Sequence, residues 1–193
     1  MTVDVWWSTL ASARHGLLPI LSPLERSRVA ALEREADRGR SMLGAALLRV
    51  AVADHLGVPP AAVEVDRTCD DCGAPHGAPR IIGPLTQRAH PAVSVSHSGV
   101  LVVVAVGDVG PVGIDVQRLA DLPDPADGSA WVQRETAVKA GRDEGPVRGL
   151  QAPLPGYAAA LALPETAGPV RVRTWDSASS PGSTPGSTPG PAP

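Results

Sequence analysis

The sequence predicts a mixed α+β fold built around an antiparallel sheet, and three stretches carry that reading. Residues 100–106, Val-Leu-Val-Val-Val-Ala-Val, are apolar without interruption and β-branched at five of seven positions. Bounded by Gly99 and by Gly107-Asp108, they read as a strand covered on both faces, the centre of the sheet. After five turn-forming residues, Val112-Gly113-Ile114-Asp115-Val116 reads as a short second strand, spaced for an antiparallel hairpin with the first. Ser22-Pro23-Leu24-Glu25 opens a helix: a serine N-cap, proline at the first helical position and glutamate three residues after the cap complete a capping box.

The second strand carries a carboxylate. Alternation puts Asp115 on the face of Gly113 and Gln117, opposite Ile114 and Val116, and Gly113 is expected to leave open space beside it. Such a place suits an ion or an anionic ligand.

The remaining elements follow in order. Residues 3–7, Val-Asp-Val-Trp-Trp, alternate as a first strand. The helix opened at Ser22 is expected to run through Arg26, Arg28, Leu32 and Arg34 to about residue 37, its arginines forming either a solvated face or an anion site. After Gly39 a second helix is expected over about 40–56, apolar nearly all round and therefore buried, ending at Gly57 and presenting Arg40 at its start. Residues 61–66 read as an edge strand, and a cysteine-containing loop leads through Arg80 to Ile81-Ile82. Residues 118–130, with Asp121, Pro123, Asp124, Pro125 and Gly128, read as a loop. Residues 131–140 are helical in composition, with Trp131, Glu135 and Lys139 at four-residue steps along one face. Residues 170–175 alternate as a last strand with an exposed arginine face, and 177–193 read as a disordered Pro/Gly/Ser/Thr tail.

Composition narrows the function. The 193 residues are 43% hydrophobic but include no Phe and one Tyr, so the core must be Val, Leu and Ala. A net charge of −3 argues against a nucleic-acid binder driven by phosphate neutralisation. Sixteen of the 17 basic residues are arginine, which draws notice to the single lysine, Lys139. No stretch approaches the ~20 apolar residues of a membrane span, and Asp4 stands where a signal segment would be basic; the expectation is a cytoplasmic protein without membrane contact. Cys69 and Cys72 form a lone C-x-x-C before Gly73 and His76. It is either a loop with reduced thiols or a small zinc knuckle completed by His76, His90, Asp70 or Asp71.

Singly, the polar residues have ordinary explanations. Ser96-His97-Ser98-Gly99 lacks the glycine two places before the serine that a hydrolase elbow needs. His97 at the head of a strand fits a hydrogen-bonded structural histidine, Glu135 with Lys139 a surface pair, and Asp115 a turn cap.

Their order, however, resembles the 4'-phosphopantetheinyl transferase superfamily, in its two-halved, surfactin-synthetase-activating (Sfp-like) branch. The matching segments are Ser22-Pro23 with the Arg26/Arg28 helix, Gly39-Arg40-Ser41-Met42-Leu43, Gly77-Ala78-Pro79, Val95-Ser96-His97-Ser98, Val112-Gly113-Ile114-Asp115, and Trp131-x-x-Arg134-Glu135-x-x-x-Lys139. The resemblance spans about residues 1–175. It implies a pseudo-twofold fold of two α/β halves, each a helix packed on a small antiparallel sheet, with residues 1–108 as the N-terminal half and 109–176 as a shortened C-terminal half. Coenzyme A would lie between the halves, and one chain would suffice as a monomer.

The resemblance also implies roles. Asp115 and Glu135 would be Mg²⁺ ligands, with Gln117 standing where the family normally has a second acid. Glu135 would take the proton of the attacking serine, and Lys139 would reach the coenzyme's pyrophosphate. Ser96 and His97 belong to the coenzyme-contacting segment, His97 meeting a phosphate; Arg40, with Arg28 or Arg26, would bind the 3'-phosphate. The family's Gly-Lys-Pro loop is Gly77-Ala78-Pro79 here, and Arg80 stands next to it as a replacement cation. The implied activity moves 4'-phosphopantetheine from coenzyme A to a serine of an acyl or peptidyl carrier protein of polyketide, peptide or fatty-acid pathways. The alternative is a degenerate member that binds coenzyme A or a carrier without turnover, suggested by Gln117, Ala78 and the short 118–130 segment, which in most members holds a further helix that helps receive the carrier.

Overall fold

The computed structural model describes residues 2–83, 90–141 and 146–179. In chain order the elements are β1 (Val3–Thr9), α1 (Pro23–Ala31), α2 (Glu35–Leu56), β2 (Glu64–Asp66), β3 (Arg80–Ile82), β4 (Ala92–Ser98), β5 (Leu101–Gly107), β6 (Gly113–Arg118), α3 (Gly128–Lys139), β7 (Val147–Gly149), β8 (Tyr157–Ala162) and β9 (Val170–Thr174).

β5 is buried along its whole length because both its faces are covered. It lies in a four-stranded sheet of order β4-β5-β1-β9, antiparallel except where β9 pairs parallel with β1. Val102, Val104 and Val106 of β5 join Trp6 of β1 beneath α2, where Leu43, Leu47, Leu48 and Val52 fill the first core. Leu101, Val103 and Ala105 point the other way, with Val3, Val5 and Trp7, onto Ile114, Val116, Ala159 and Leu161 of a three-stranded sheet, β6-β8-β7. α3 covers the outer face of that second sheet. The α+β expectation therefore holds, with layers α2, sheet, sheet, α3. β9 comes from the chain's last part yet extends the first sheet, beside β1.

The seam between the sheets is made by hydroxyl groups. β4 and β6 are both edge strands, and an edge strand leaves alternate amides unpaired. Ser94, Ser96 and Ser98, two residues apart on one face of β4, accept the N–H groups of Ile114 (3.1 Å), Val116 (3.3 Å) and Arg118 (2.9 Å). Three side chains thus finish a ladder that backbone would otherwise complete, and they fix the register of one sheet against the other.

Several expectations need correction. Residues 112–116 do not form a hairpin with 100–106: β6 pairs with β8, and it stacks on β5 because Ile114 and Val116 are needed in the core between the sheets. Gly113 leaves no open space. A Cβ there would collide with the Thr136 carbonyl oxygen of α3, so the glycine lets the helix approach the strand. The first helix stops at Ala31 and the second begins at Glu35, because Arg38 Nη1 donates to the carbonyls of Leu32 (2.8 Å) and Glu33 (2.9 Å) and so holds the corner. Gly39 accordingly lies inside α2, where a Cβ would press on Leu10 Cδ2 at 3.2 Å. Strand structure in 61–66 is confined to Glu64–Asp66, after a 3₁₀ turn at Pro60–Ala62. The 118–130 segment holds two 3₁₀ turns, Leu119–Asp121 and Pro125–Asp127, and α3 starts three residues early. The β9 arginine face is only partly exposed: exposed Arg171 grips buried Asp4 through Nε and Nη2, both at 2.8 Å, and half-buried Arg173 lies 5.0 Å over the Trp6 ring. Residues 177–179 form a 3₁₀ turn, and the rest of the predicted tail lies outside the described residues. Among the described residues no helix is long and apolar enough to cross a membrane.

Gly113→Ala is expected to destabilise the protein by about 1–3 kcal/mol, the usual cost of overpacking, read as a lower urea midpoint at unchanged slope. An unchanged midpoint would show that α3 does not rest on this strand.

Candidate active site

The capping box predicted at Ser22 does more than start a helix. Ser22 Oγ accepts Glu25 N–H, and Glu25 Oε2 in return accepts Ser22 N–H at 2.8 Å. The other glutamate oxygen receives Arg49 Nη1 of α2 at 2.6 Å in a buried pair. α1 is thereby tied to α2, and Arg28, three residues after Glu25, is turned toward the seam.

There a cavity of about 610 Å³ opens between α1 and α2 on one side and β6 and α3 on the other. Its first wall is Glu25 and Arg28 of α1, Asp37, Arg40 and Ser41 of α2, and Arg67 after β2; Ser96 and His97 come from β4. The opposite wall is Asp115 and Gln117 of β6 with Trp131, Glu135 and Lys139 of α3. Four-residue spacing along α3 does put the last three on one face, and that face lines the cavity.

Asp115 is buried and its Oδ1 is doubly bonded: Ser96 Oγ donates at 2.7 Å and Lys139 Nζ at 2.6 Å. Lys139 also donates to the Ile114 carbonyl at 3.3 Å. A buried carboxylate needs such partners, since an unpaired charge removed from water is costly. Glu135 forms no hydrogen bond or ion pair with a described residue, so its carboxylate is open to the cavity. Gln117 Nε2 donates to the Arg118 carbonyl at 3.0 Å.

The first wall carries the arginines. Arg40, on the cavity lining, donates to the Gly99 carbonyl at 2.9 Å and pairs with Asp37. Arg67 is half-buried; desolvation, and then the neighbouring Arg28 charge, lower its pKa from the ordinary value. Solvent reaches His97, yet the ring stands in the concavity, where desolvation first and the Arg40 charge next push its pKa below the ordinary 6.5, with Lys139 acting in the same sense. These groups repel additional positive charge and suit a ligand with several negative ones.

Not every residue singled out in the sequence lines this cavity. Arg26 donates instead to the carbonyls of Leu21 (2.6 Å) and Leu18 (3.3 Å). Arg80 is held by Asp70 (2.9 and 3.2 Å), Asp66 (3.5 Å) and the Thr68 carbonyl (2.8 Å), away from the cavity lining. Conversely, Arg67 was missed. It follows a three-residue strand with no pattern of its own, and only the fold brings it beside Arg28.

Fold and site together define an α+β protein with a polar cleft beside the seam of its two sheets. The family model described as "4'-phosphopantetheinyl transferase, N-terminal" matches residues 5–108, more than half of the chain, and the chain belongs to that family. No curated protein gives a significant match.

His97 should titrate below 6.5 when followed by its imidazole NMR signals, and Arg40→Ala should move the midpoint upward by removing a repelling cation. Because the unfolded chain then binds the proton more readily than the folded one, this histidine subtracts stability as the pH falls below its ordinary value. A midpoint unaffected by Arg40→Ala would show that the two groups do not face each other.

Proposed function

We propose that this protein transfers the 4'-phosphopantetheine group of coenzyme A to a serine of an acyl or peptidyl carrier protein, releasing 3',5'-ADP, as in the surfactin-synthetase-activating branch of the family. The observation that carries the reading is the convergence of Asp115, Glu135 and Lys139, from two elements, on one cavity whose other wall holds Arg28, Arg40, Arg67 and His97. Every one of these groups comes from a single chain, so a monomer suffices.

The residues fit a magnesium ion. Asp115 Oδ2 and the Glu135 carboxylate make no hydrogen bond to a described residue and offer hard oxygen donors, and the Gln117 amide oxygen adds an uncharged third or holds a water. Bound there, Mg²⁺ would neutralise charge on the pyrophosphate of coenzyme A. Arg40, with Arg28 and Arg67, binds the 3'-phosphate through forked guanidinium donors. His97 donates to a phosphate oxygen, and proton uptake on its ring strengthens as that dianion arrives. Lys139 takes charge developing on the pyrophosphate, an effect that acts chiefly through positioning and electrostatics in phosphoryl transfer. The carrier serine Oγ attacks the β-phosphorus, Glu135 accepts the hydroxyl proton, and the bond from the β-phosphorus to the bridging oxygen breaks, so that 3',5'-ADP leaves with the electron pair.

The test is to incubate the protein with Mg²⁺, coenzyme A and several apo carrier proteins and to weigh the carriers. A gain of one phosphopantetheinyl group is expected. Binding of coenzyme A without any gain would favour the degenerate-member reading suggested by Gln117 and Ala78. Glu135→Gln should lower the transfer rate by roughly 10²–10⁴, the range for loss of a general base. Arg40→Ala should weaken coenzyme A binding by about 10–100-fold, as expected for a charged hydrogen bond. Equal loss of binding in both variants, measured by calorimetry, would contradict this division of roles.

A further inference from the structure

Outside the cavity, one cluster of soft ligands stands apart. Cys69, Cys72 and His76 lie on the loop between β2 and β3, and their ligand atoms are all within 4.8 Å of one another. The loop is folded tightly on itself: Cys69 N–H donates to Ala74 O (2.8 Å), Gly73 N–H to Cys69 O (2.9 Å), His76 N–H to Ala74 O (2.9 Å), and Gly77 N–H to Arg67 O (2.7 Å). Gly73, directly after the second cysteine, has φ +72°, which turns the chain back toward His76 and which a side chain would disfavour. Gly77 is equally required, because a Cβ there would press on the Thr68 carbonyl oxygen at 2.7 Å and on Cys69 Cα at 3.0 Å. The amides of Cys72 and Asp71 donate to the Cys69 sulfur, an arrangement that favours a thiolate. Arg80 meanwhile occupies both oxygens of Asp70, which removes that carboxylate as a competitor.

We propose that Cys69, Cys72 and His76 bind a zinc ion, with solvent in the fourth position. Two thiolates and an imidazole are the donor set that tetrahedral zinc takes. The Cys72 sulfur and His76 Nε2 stand 3.0 Å apart, whereas zinc bonds of about 2.3 Å to sulfur and 2.0–2.1 Å to nitrogen hold them roughly 3.5 Å apart. The ion enters between them by separating two exposed side chains about half an ångström. Binding releases the thiol protons to solvent, and His76 ligates as the neutral imidazole. The knot so closed also fixes the backbone of Arg67, through the Gly77 bond, at the edge of the main cavity.

The test uses the full chain without a polyhistidine tag. Metal analysis after dialysis should find about one zinc per chain, released by a mercurial thiol reagent, and cobalt substitution should give thiolate-to-cobalt charge-transfer absorption with the strong visible bands of a tetrahedral site. Cys69→Ser/Cys72→Ser and, separately, His76→Gln should lower zinc affinity at least about tenfold with an unchanged far-ultraviolet spectrum. Protein free of zinc with two titratable thiols after incubation with the metal, or a Cys69–Cys72 disulfide as purified that fails to take up zinc after reduction, would overturn the proposal. So would an unaltered zinc content in both variants. None of these readouts depends on transfer activity.

Discussion

The hydrogen bonds from three β6 amides to three β4 serine hydroxyls hold the rest of the molecule in place. Each is worth on the order of 1 kcal/mol net, but leaving a buried amide without a partner costs more than the bond contributes. Their importance is geometric. A hydroxyl ladder can be satisfied at only one register, since a shift of one residue would turn the serines away from β6 and toward the α2 core. Because Ser96 also donates to Asp115, the contact that aligns the sheets also orients the carboxylate at the centre of the cavity. Alignment and site construction are therefore one event.

Close packing on the far side serves the same end. Gly113 admits the Thr136 carbonyl, and Thr136 Oγ1 caps Val132 within α3 while facing the Ala160 carbonyl of β8 at 3.5 Å. Gly128 fits against Leu119 and Ala158 in the same way. Small residues on both surfaces let the helix lie directly on the strands. Lys139, at its last turn, reaches β6 from that height, and a helix held further out would leave its ammonium short of Asp115.

The sequence was most legible where local chemistry decides structure. The capping box at Ser22, the buried strand expected at 100–106 and the Trp131–Glu135–Lys139 face follow from hydrogen-bond demand and periodicity; the structure has all three, with the strand shifted one residue to 101–107 and Val100 exposed in the turn before it. β8 was not read at all. Its Tyr-Ala-Ala-Ala-Leu-Ala has little intrinsic strand preference, and it is a strand because it fills the centre of a small sheet beneath α3. The hairpin expected between β5 and β6 failed for a related reason: length and spacing set the distance between two strands, but only their apolar faces decide between pairing and stacking. Gly39 and Gly113 were misread together, as a helix break and as ligand space. Both are places where another element comes close, and proximity in space leaves no mark on the sequence nearby. The cavity was legible in part for that same reason: the residues of β4, β6 and α3 lie in recognisable motifs, whereas Arg67 has none.

Lys139 shows how the two walls of the cleft depend on each other. Its ammonium balances Asp115, and the distance of 2.6 Å to Oδ1 makes it the carboxylate's principal charge partner. In the proposed reaction the same ammonium serves the pyrophosphate, and it cannot leave Asp115 uncompensated. In that proposed reaction a divalent cation held by Asp115 would supply the missing charge, so that metal at Asp115 and phosphate at Lys139 would favour one another. On that proposal a neutral glutamine at position 117 would be tolerable, since Asp115, oriented by Ser96, and Glu135, which lines the same cavity, would supply the carboxylates. A second acid on β6 would add affinity, but it would also set a further uncompensated charge against an edge strand whose amides are already satisfied by the serines.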